Sequence, residues 1–341
     1  MVELIERIDP LLPLAFGLDS TSASVCGVHT CSATGMMEAA LIGTGPRVLA
    51  LVHGAFSKRW FEVAQLLGKD ARALECAWGE APDPLAIERV LAQEGPFDAV
   101  TLVCNETSTG VRAPLDPIAE VLAAHPGTQL LVDVVSLLAG AAIDFDAHAL
   151  DFALAGTQKA LALPPGLTVF CVSERYLERA RRRELRGYYL DPVRILDGHT
   201  QRKTPSTPCI PLYYALARQL EDISSGATLT GGQDPHGPTA WQMRFEKHQR
   251  MQARTVQWAA GHDLKLFPAA KLASPTIACI RSGSIDTPAF IAGLKTRGFE
   301  IGNGYGKLKN QTFRIGHMGD HTEAGLEQLL AAADEVLAES R

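Results

Sequence analysis

The 341-residue sequence contains no apolar run of about 18 residues, so it offers no segment that reads as a transmembrane helix. Its net charge of −6 provides no excess of basic residues, which argues against nucleic acid or an anionic membrane as a partner. The opening residues Met1 to Asp9 carry acidic groups and lack the basic start and apolar core of a signal peptide. Cys26, Cys31, Cys76, Cys104, Cys171, Cys209 and Cys279 form no Cys-x-x-Cys pair and are odd in number. They read as small core or loop residues in a reducing cytoplasm. The histidines show no metal-ligand spacing, so no metal is expected. There is no Gly-x-Ser-x-Gly nucleophile elbow, no internal repeat and no low-complexity tract. What remains is 46% hydrophobic and 21% charged, an ordinary globular composition long enough for two domains.

The first half alternates apolar, β-branched stretches with helix-like segments. Strands are expected at Val25–Thr30, Arg47–Gly54, Ala73–Trp78, Ala99–Glu106, Gln129–Val135, Phe152–Thr157 and Leu167–Ser173. Helices are expected at Met36–Ile42, Lys58–Leu67, Pro84–Gln93 and Leu115–Ala124. This alternation predicts an α/β domain, residues 1–222, with a seven-stranded, mainly parallel sheet covered on both faces. Glu221 to Gly232 is rich in Ser, Gly and Thr and reads as a connection. Beyond it, a long helix near Thr239–Ala260 and strands at Thr276–Arg281 and Thr312–Ile315 follow. Helices near Thr287–Arg297 and Thr322–Glu339 complete a smaller α+β domain, residues 223–341. The cluster Arg179, Arg181, Arg182, Arg183 and Arg186 falls on an expected helix with Glu178 and Glu184 and reads as a solvated face.

Ligands of an open parallel sheet bind at the carboxyl ends of its strands. Four polar groups converge there: Ser32-Ala33-Thr34-Gly35 after the first strand, Asn105 to Gly110 after the fourth, Asp133 closing the fifth, and Lys159 after the sixth. Ser32 to Gly35 opens a helix and suits an anion, with a plain helix cap as the alternative. Asp133 in an apolar strand requires a partner, either a pyridinium N–H or a structural ion pair. Lys159 stands between an apolar strand and a Pro-Pro-Gly turn. An amine and an acid so placed are what pyridoxal 5'-phosphate (PLP) needs, the amine for a Schiff base and the acid for the ring nitrogen. Arg314 offers a fork-shaped donor for a carboxylate, or else an interdomain ion pair. His317 reads as a packed histidine, with a place in the substrate pocket as the alternative.

From about Ser32 onward these segments resemble the fold-type I PLP enzymes, specifically the class V aminotransferases, and most of all the serine–pyruvate and alanine–glyoxylate aminotransferases. The resemblance rests on residues 32–39, 53–60 (His-Gly-Ala-Phe-Ser-Lys-Arg-Trp), 105–110 (Asn-Glu-Thr-Ser-Thr-Gly), 132–136, 156–167, 204–208 and 313–320. It implies Lys159 as the Schiff-base lysine and Asp133 as the pyridinium partner. Ser32, Ala33, Thr34 and Gln158 would surround the phosphate, and Thr107 would lie near the phenolic oxygen. Val135 would pack below the ring and Phe56 would stack on it. Thr207 would reach the phosphate of the other subunit of a homodimer, and Arg314 would clamp the substrate α-carboxylate. The resemblance further implies that an N-terminal family segment of some tens of residues, carrying a Gly-Pro-rich opening and a His-Arg pair, is missing here.

The activity so implied is a ping-pong transamination from a small L-amino acid, serine or alanine, to a 2-oxo acid, glyoxylate or pyruvate. A phosphoserine:2-oxoglutarate aminotransferase is the nearest alternative, and would need extra cations such as Arg202, Lys203, His199 or His317. A desulfurase fits less well: those relatives place His where Gln158 stands and use a mobile cysteine, whereas Cys279 falls in an expected strand. A catalytically silent PLP-binding or assembly protein is the alternative from another class.

Overall fold

The computed structural model describes residues 1–184, 186–230 and 234–339. The chain opens with helices α1 (Val2–Ile8) and α2 (Leu12–Ala15), then enters strand β1 (Val25–His29). Helix α3 (Ala33–Ile42), β2 (Arg47–Val52), α4 (Ala55–Leu66), β3 (Asp70–Glu75), α5 (Pro84–Glu94) and β4 (Ala99–Val103) follow. A short hairpin, β5 (Asn105–Glu106) and β6 (Val111–Arg112), leads to α6 (Leu115–Ala123), β7 (Gln129–Asp133), β8 (Phe152–Gly156) and β9 (Thr168–Val172). Helices α7 (Glu174–Arg181), α8 (Pro192–Thr200), α9 (Ile210–Ser224) and α10 (Pro238–Gly261) come next. The chain ends with β10 (Ile277–Arg281), α11 (Thr287–Thr296), β11 (Gly302–Asn303), β12 (Thr312–Gly316) and α12 (Glu323–Glu339).

Seven strands form one sheet in the order β1-β9-β8-β7-β4-β2-β3. Strand β9 alone runs against its neighbours, pairing antiparallel with both β8 and β1. The sheet is apolar through its middle because both faces are covered. Leu49, Leu51, Val100, Leu102, Leu130 and Val132 point into one buried cluster. Their chain neighbours Val48, Ala99, Val103 and Leu131 point into the other. Period-two alternation across a doubly covered sheet therefore leaves little room for polar side chains inside these strands, and Thr101, buried in the middle of β4, is the exception.

Strand β3 begins three residues earlier than expected. It is an edge strand whose residues alternate between exposed and half-buried, so Asp70, Arg72 and Glu75 belong to it although they are charged. The apolar-run criterion fails at an edge, where charged side chains are favoured. Local chemistry starts the helices: Ser32, Asp83, Ser173, Asp191 and Asp286 each cap a helix by accepting from a backbone N–H of its first turn. Helix α7 ends at Arg181, sooner than the basic cluster implied; Arg181 pairs with Asp197 and Arg186 with Asp191. The expected connection at 221–232 is in part helical, since α9 runs to Ser224, and residues 231 and 232 lie outside the described residues.

A three-stranded antiparallel sheet, β10-β12-β11, packs with α10, α11 and α12 around a separate core of Met251, Ile280, Phe290, Phe313 and Leu330. Helix α10 joins the two cores. Its first half buries Trp241 and Phe245 in the large core, and its second half buries Met251 and Trp258 in the small one. No helix among the described residues is long and apolar enough to cross a membrane.

Candidate active site

The carboxyl ends of β1, β2, β4, β7 and β8 open onto one cavity of about 180 Å³. Ser32, Ala33, Thr34, Phe56, Thr107, Asp133, Val135, Gln158 and Lys159 all line it. Residues up to 127 positions apart thus share one surface only because the parallel strands end together, as Ser32 and Lys159 do. Arg314 reaches the same region from β12. Thr207 does not: it is exposed on the segment between α8 and α9, away from this cavity.

Asp133 is buried at the end of β7, where its Oδ1 accepts from the Val135 N–H at 2.8 Å. Its Oδ2 takes no hydrogen bond from the described residues. Burial pushes its carboxyl up to about 7; the Val135 N–H opposes this, Glu106 adds to it, and Arg59 and Lys159 oppose it. A partner ion pair is absent among the described residues, so the carboxylate faces the cavity needing a cation or a donor. Burial also lowers the Lys159 ammonium below the usual lysine range, reinforced by Arg314 and opposed by Asp133. A lysine so placed is partly primed as an amine nucleophile and base.

The loop bearing Lys159 is held tightly. The Thr157 hydroxyl donates to the Pro164 carbonyl at 2.8 Å, and the Leu163 N–H donates to the Thr157 carbonyl at 3.1 Å. From α10, the buried Arg244 donates to the carbonyl of Ala160 at 2.7 Å and that of Ala139 at 3.1 Å, and pairs with Asp320. The residue following the lysine is therefore anchored by the helix that joins the two cores.

At the phosphate-like end, Ser32 Oγ accepts from the Gly35 N–H at 3.3 Å, an ordinary helix cap. The same helix start leaves its first N–H groups without intrahelical acceptors, so capping and anion binding coexist here. Asn105, also lining the cavity, donates to Ser136 Oγ at 2.8 Å and to Thr276 Oγ1 at 3.1 Å, while its own Oδ1 is buried without a donor.

Glu106 organises the cavity wall. Its Oε2 accepts from the N–H groups of Phe56 and Ser57 at 3.0 and 2.9 Å, and its Oε1 accepts from Ser108 N–H and Oγ at 3.2 and 2.6 Å. A side chain at Gly54 would collide with Glu106, since an added Cβ would stand 2.3 Å from its Cγ. The carboxylate thereby caps α4 and fixes Phe56 to the hairpin bearing Thr107. Replacing Glu106 with alanine would leave several buried donors unpaired and is expected to cost at least about 3 kcal/mol of stability. Urea denaturation of the two proteins measures this, and a loss under about 1 kcal/mol would refute the role.

Arg314 carries no ion pair among the described residues. Its Nε donates to the Asn303 carbonyl at 2.9 Å and its Nη1 to the Thr107 carbonyl at 3.2 Å. Gly302, opposite it across β11, leaves space for the guanidinium: an added Cβ would lie 3.3 Å from Nη2. The fork is thus pinned on one side, with Nη2 unbonded to the described residues. Tyr305 packs between this group and Phe56, its ring 5.8 Å from the Arg314 guanidinium and 5.3 Å from the Phe56 ring.

Other candidates lie elsewhere. His317 is fully buried, donates or accepts at Thr255 Oγ1 at 2.9 Å, and is pushed down to about 3 by burial. It is a packed histidine. His199 pairs with Asp9 and Arg202 with Glu6, so both are engaged away from the cavity. Cys279 is buried in β10. Sequence reasoning overlooked Arg59, Glu106, Arg244 and Tyr305 as contributors. The Asn-Glu-Thr-Ser-Thr-Gly run and the 53–60 run contained two of them, but their partners lie about 25 to 50 residues away.

The class-V aminotransferase family model matches residues 30–228. A protein named soluble hydrogenase, small subunit, from a Synechococcus species is 30% identical, over 92% of this chain and 79% of its own. The serine–glyoxylate aminotransferase of Methylorubrum extorquens is 30% identical, over 89% of this chain and 76% of its own. The solved structure of an alanine–glyoxylate aminotransferase from a Nostoc species superposes with a TM-score of 0.86 at 28% identity, covering 98% of this chain and 87% of that one.

Proposed function

Because the chain belongs to the class-V aminotransferases, with the fold of the type I PLP enzymes, we propose that it moves an amino group from a small L-amino acid, serine or alanine, to glyoxylate or pyruvate. The observation that carries this reading is the meeting of a buried carboxylate, Asp133, and a deprotonation-prone amine, Lys159, in one cavity opposite a helix N-terminus. Membership of the family implies PLP. The residues present suit it: Asp133 Oδ2 is free for the ring nitrogen, Asn105 Oδ1 lacks a donor, and the α3 start offers N–H groups to a phosphate.

When bound, PLP supplies an electron sink and a carrier for the amino group. The chain's own residues do the rest. Lys159 would hold the cofactor between turnovers and then, as a free amine, would take the proton from the substrate Cα and pass it to the cofactor carbon that carries the amino group. Asp133 would keep the ring nitrogen protonated. Phe56 and Val135 would cover the two ring faces, Thr107 would lie near the phenolic oxygen, and Ser32, Ala33, Thr34 and Gln158 would hold the phosphate. Arg314, already fixed by the carbonyls of Asn303 and Thr107, presents Nη2 to the substrate carboxylate and so sets the orientation of the Cα–H bond. Thr207, exposed and off its own cavity, is assigned to the phosphate of a second copy in a C₂ homodimer.

The phosphoserine alternative is disfavoured, since His199 and Arg202 are paired elsewhere and His317 is buried away from the cavity. The test uses the PLP-loaded protein mixed separately with L-serine, L-alanine, L-phosphoserine and L-glutamate, following visible absorbance and oxo-acid release. Response to serine or alanine is expected. Response to phosphoserine and glutamate alone would transfer the reading to the rival, and silence toward every donor would leave a binding protein.

Replacing Arg314 with alanine is expected to lower kcat/KM by about 10- to 100-fold, mainly through KM, as one charge-assisted carboxylate contact is lost. Steady-state kinetics against the amino donor measure it. A change confined to kcat would contradict the clamp.

A further inference from the structure

Arg59 stands one turn into α4, and the proposed function gives it no role. Its Nη1 donates to Thr34 Oγ1 at 3.1 Å, and its guanidinium lies 5.1 Å from the centre of the Phe56 ring. It lines the same cavity as Ser32, Ala33, Thr34 and Asp133. It forms no ion pair with any described carboxylate, whereas Arg47, Arg72, Arg181 and Arg186 each do. A half-buried guanidinium held only by a hydroxyl and a ring face retains most of its donors for an anion.

The rest of the cradle is neutral. Ser32, Ala33, Thr34 and Gln158 supply hydroxyls, an amide and backbone N–H groups, and none carries a charge. A phosphate monoester brings between one and two negative charges, and a helix start alone offsets about half of one. Lys159, whose charge interacts with Asp133, is assigned to the Schiff base and not to the phosphate. We propose that Arg59 is the cation of the phosphate site: it bridges Thr34 and the cofactor's phosphate, and selects phosphorylated over unphosphorylated pyridoxal. Its charge also reaches Asp133, where it favours the carboxylate. This inference rests on PLP being the cofactor.

The experiment compares full-length wild type with Arg59→Lys and Arg59→Met, titrating each with PLP and, separately, with pyridoxal, which lacks the phosphate. Binding is followed by the visible absorbance that either ligand acquires at Lys159. Arg59→Met is expected to weaken PLP by about 10- to 100-fold while changing pyridoxal less than about twofold, with Arg59→Lys in between. Unchanged pyridoxal binding also certifies that the variant is folded around its site. Equal weakening of both ligands would overturn the proposal and make Arg59 a support for Phe56. Unchanged PLP affinity in Arg59→Met would overturn it as well. Wild type that takes up neither ligand would sink the cofactor reading and this inference with it; the other outcomes leave the cofactor reading standing.

Discussion

Lys159→Ala is expected to lose transamination by at least about 10⁴-fold in kcat, with the protein still folded. On the proposed mechanism two functions would disappear with the one amine: the covalent hold on the cofactor and the proton carrier at the substrate Cα. No other amine among the described residues lines the cavity. The remaining cation there is Arg59, and a guanidinium is a poor base. The substitution removes a half-buried side chain from a loop whose shape is set by Thr157, Leu163 and Arg244, so the backbone has little reason to move. Single-turnover measurement with an added donor separates the two losses. Turnover close to that of wild type would dismiss the mechanism.

Asp133→Ala is expected to reduce turnover on the order of 10³-fold. The proposed cofactor ring would withdraw electrons best with its nitrogen charged, and Asp133 is the buried acid proposed to keep it so. A second readout comes from the ligand-free protein. The folded-state pKa of Asp133, about 7, lies above its ordinary value of 3.8. The native state therefore holds that proton longer than the unfolded chain does. The contribution is fully present below the unfolded value and is lost as pH rises through about 7. Unfolding free energies at about pH 5 and about pH 8 should shift in favour of Asp133→Ala, relative to wild type, as pH rises. A gap that does not move with pH would mean that the carboxyl titrates as an ordinary surface group.

Much of this was legible before any coordinates. Buried parallel strands announce themselves, because Gln129-Leu-Leu-Val and Ala99-Val-Thr-Leu-Val are mostly apolar and buried on both faces. Polar residues at the ends of such strands, Asp133 and Lys159 among them, stand out for the same reason. Strand β3 hid its start because an edge needs no apolar run. The supporting residues hid more deeply. Glu106 caps a helix that begins about 50 residues before it, Arg244 holds a carbonyl 84 positions away, and Tyr305 meets Phe56 across the two cores. Arginine on a helix normally means solvent, and nothing in local pattern distinguishes Arg59 or Arg244 from Arg250, which pairs on the surface with Glu323.

The single antiparallel strand has a consequence for the order in which the protein assembles. Residues 25–29 find their sheet neighbour only in residues 168–172. During synthesis the first strand emerges early and must wait, unpaired, until β9 has followed β8 out of the ribosome. Closing so long a loop is entropically slow, and contacts of such sequence separation belong late in folding. The Ser32–Thr34 turn hangs from that waiting strand. The core of β2, β4 and β7 can condense without it, so the proposed anion cradle is expected to take shape late, and the proposed cofactor to bind a nearly finished protein instead of templating one.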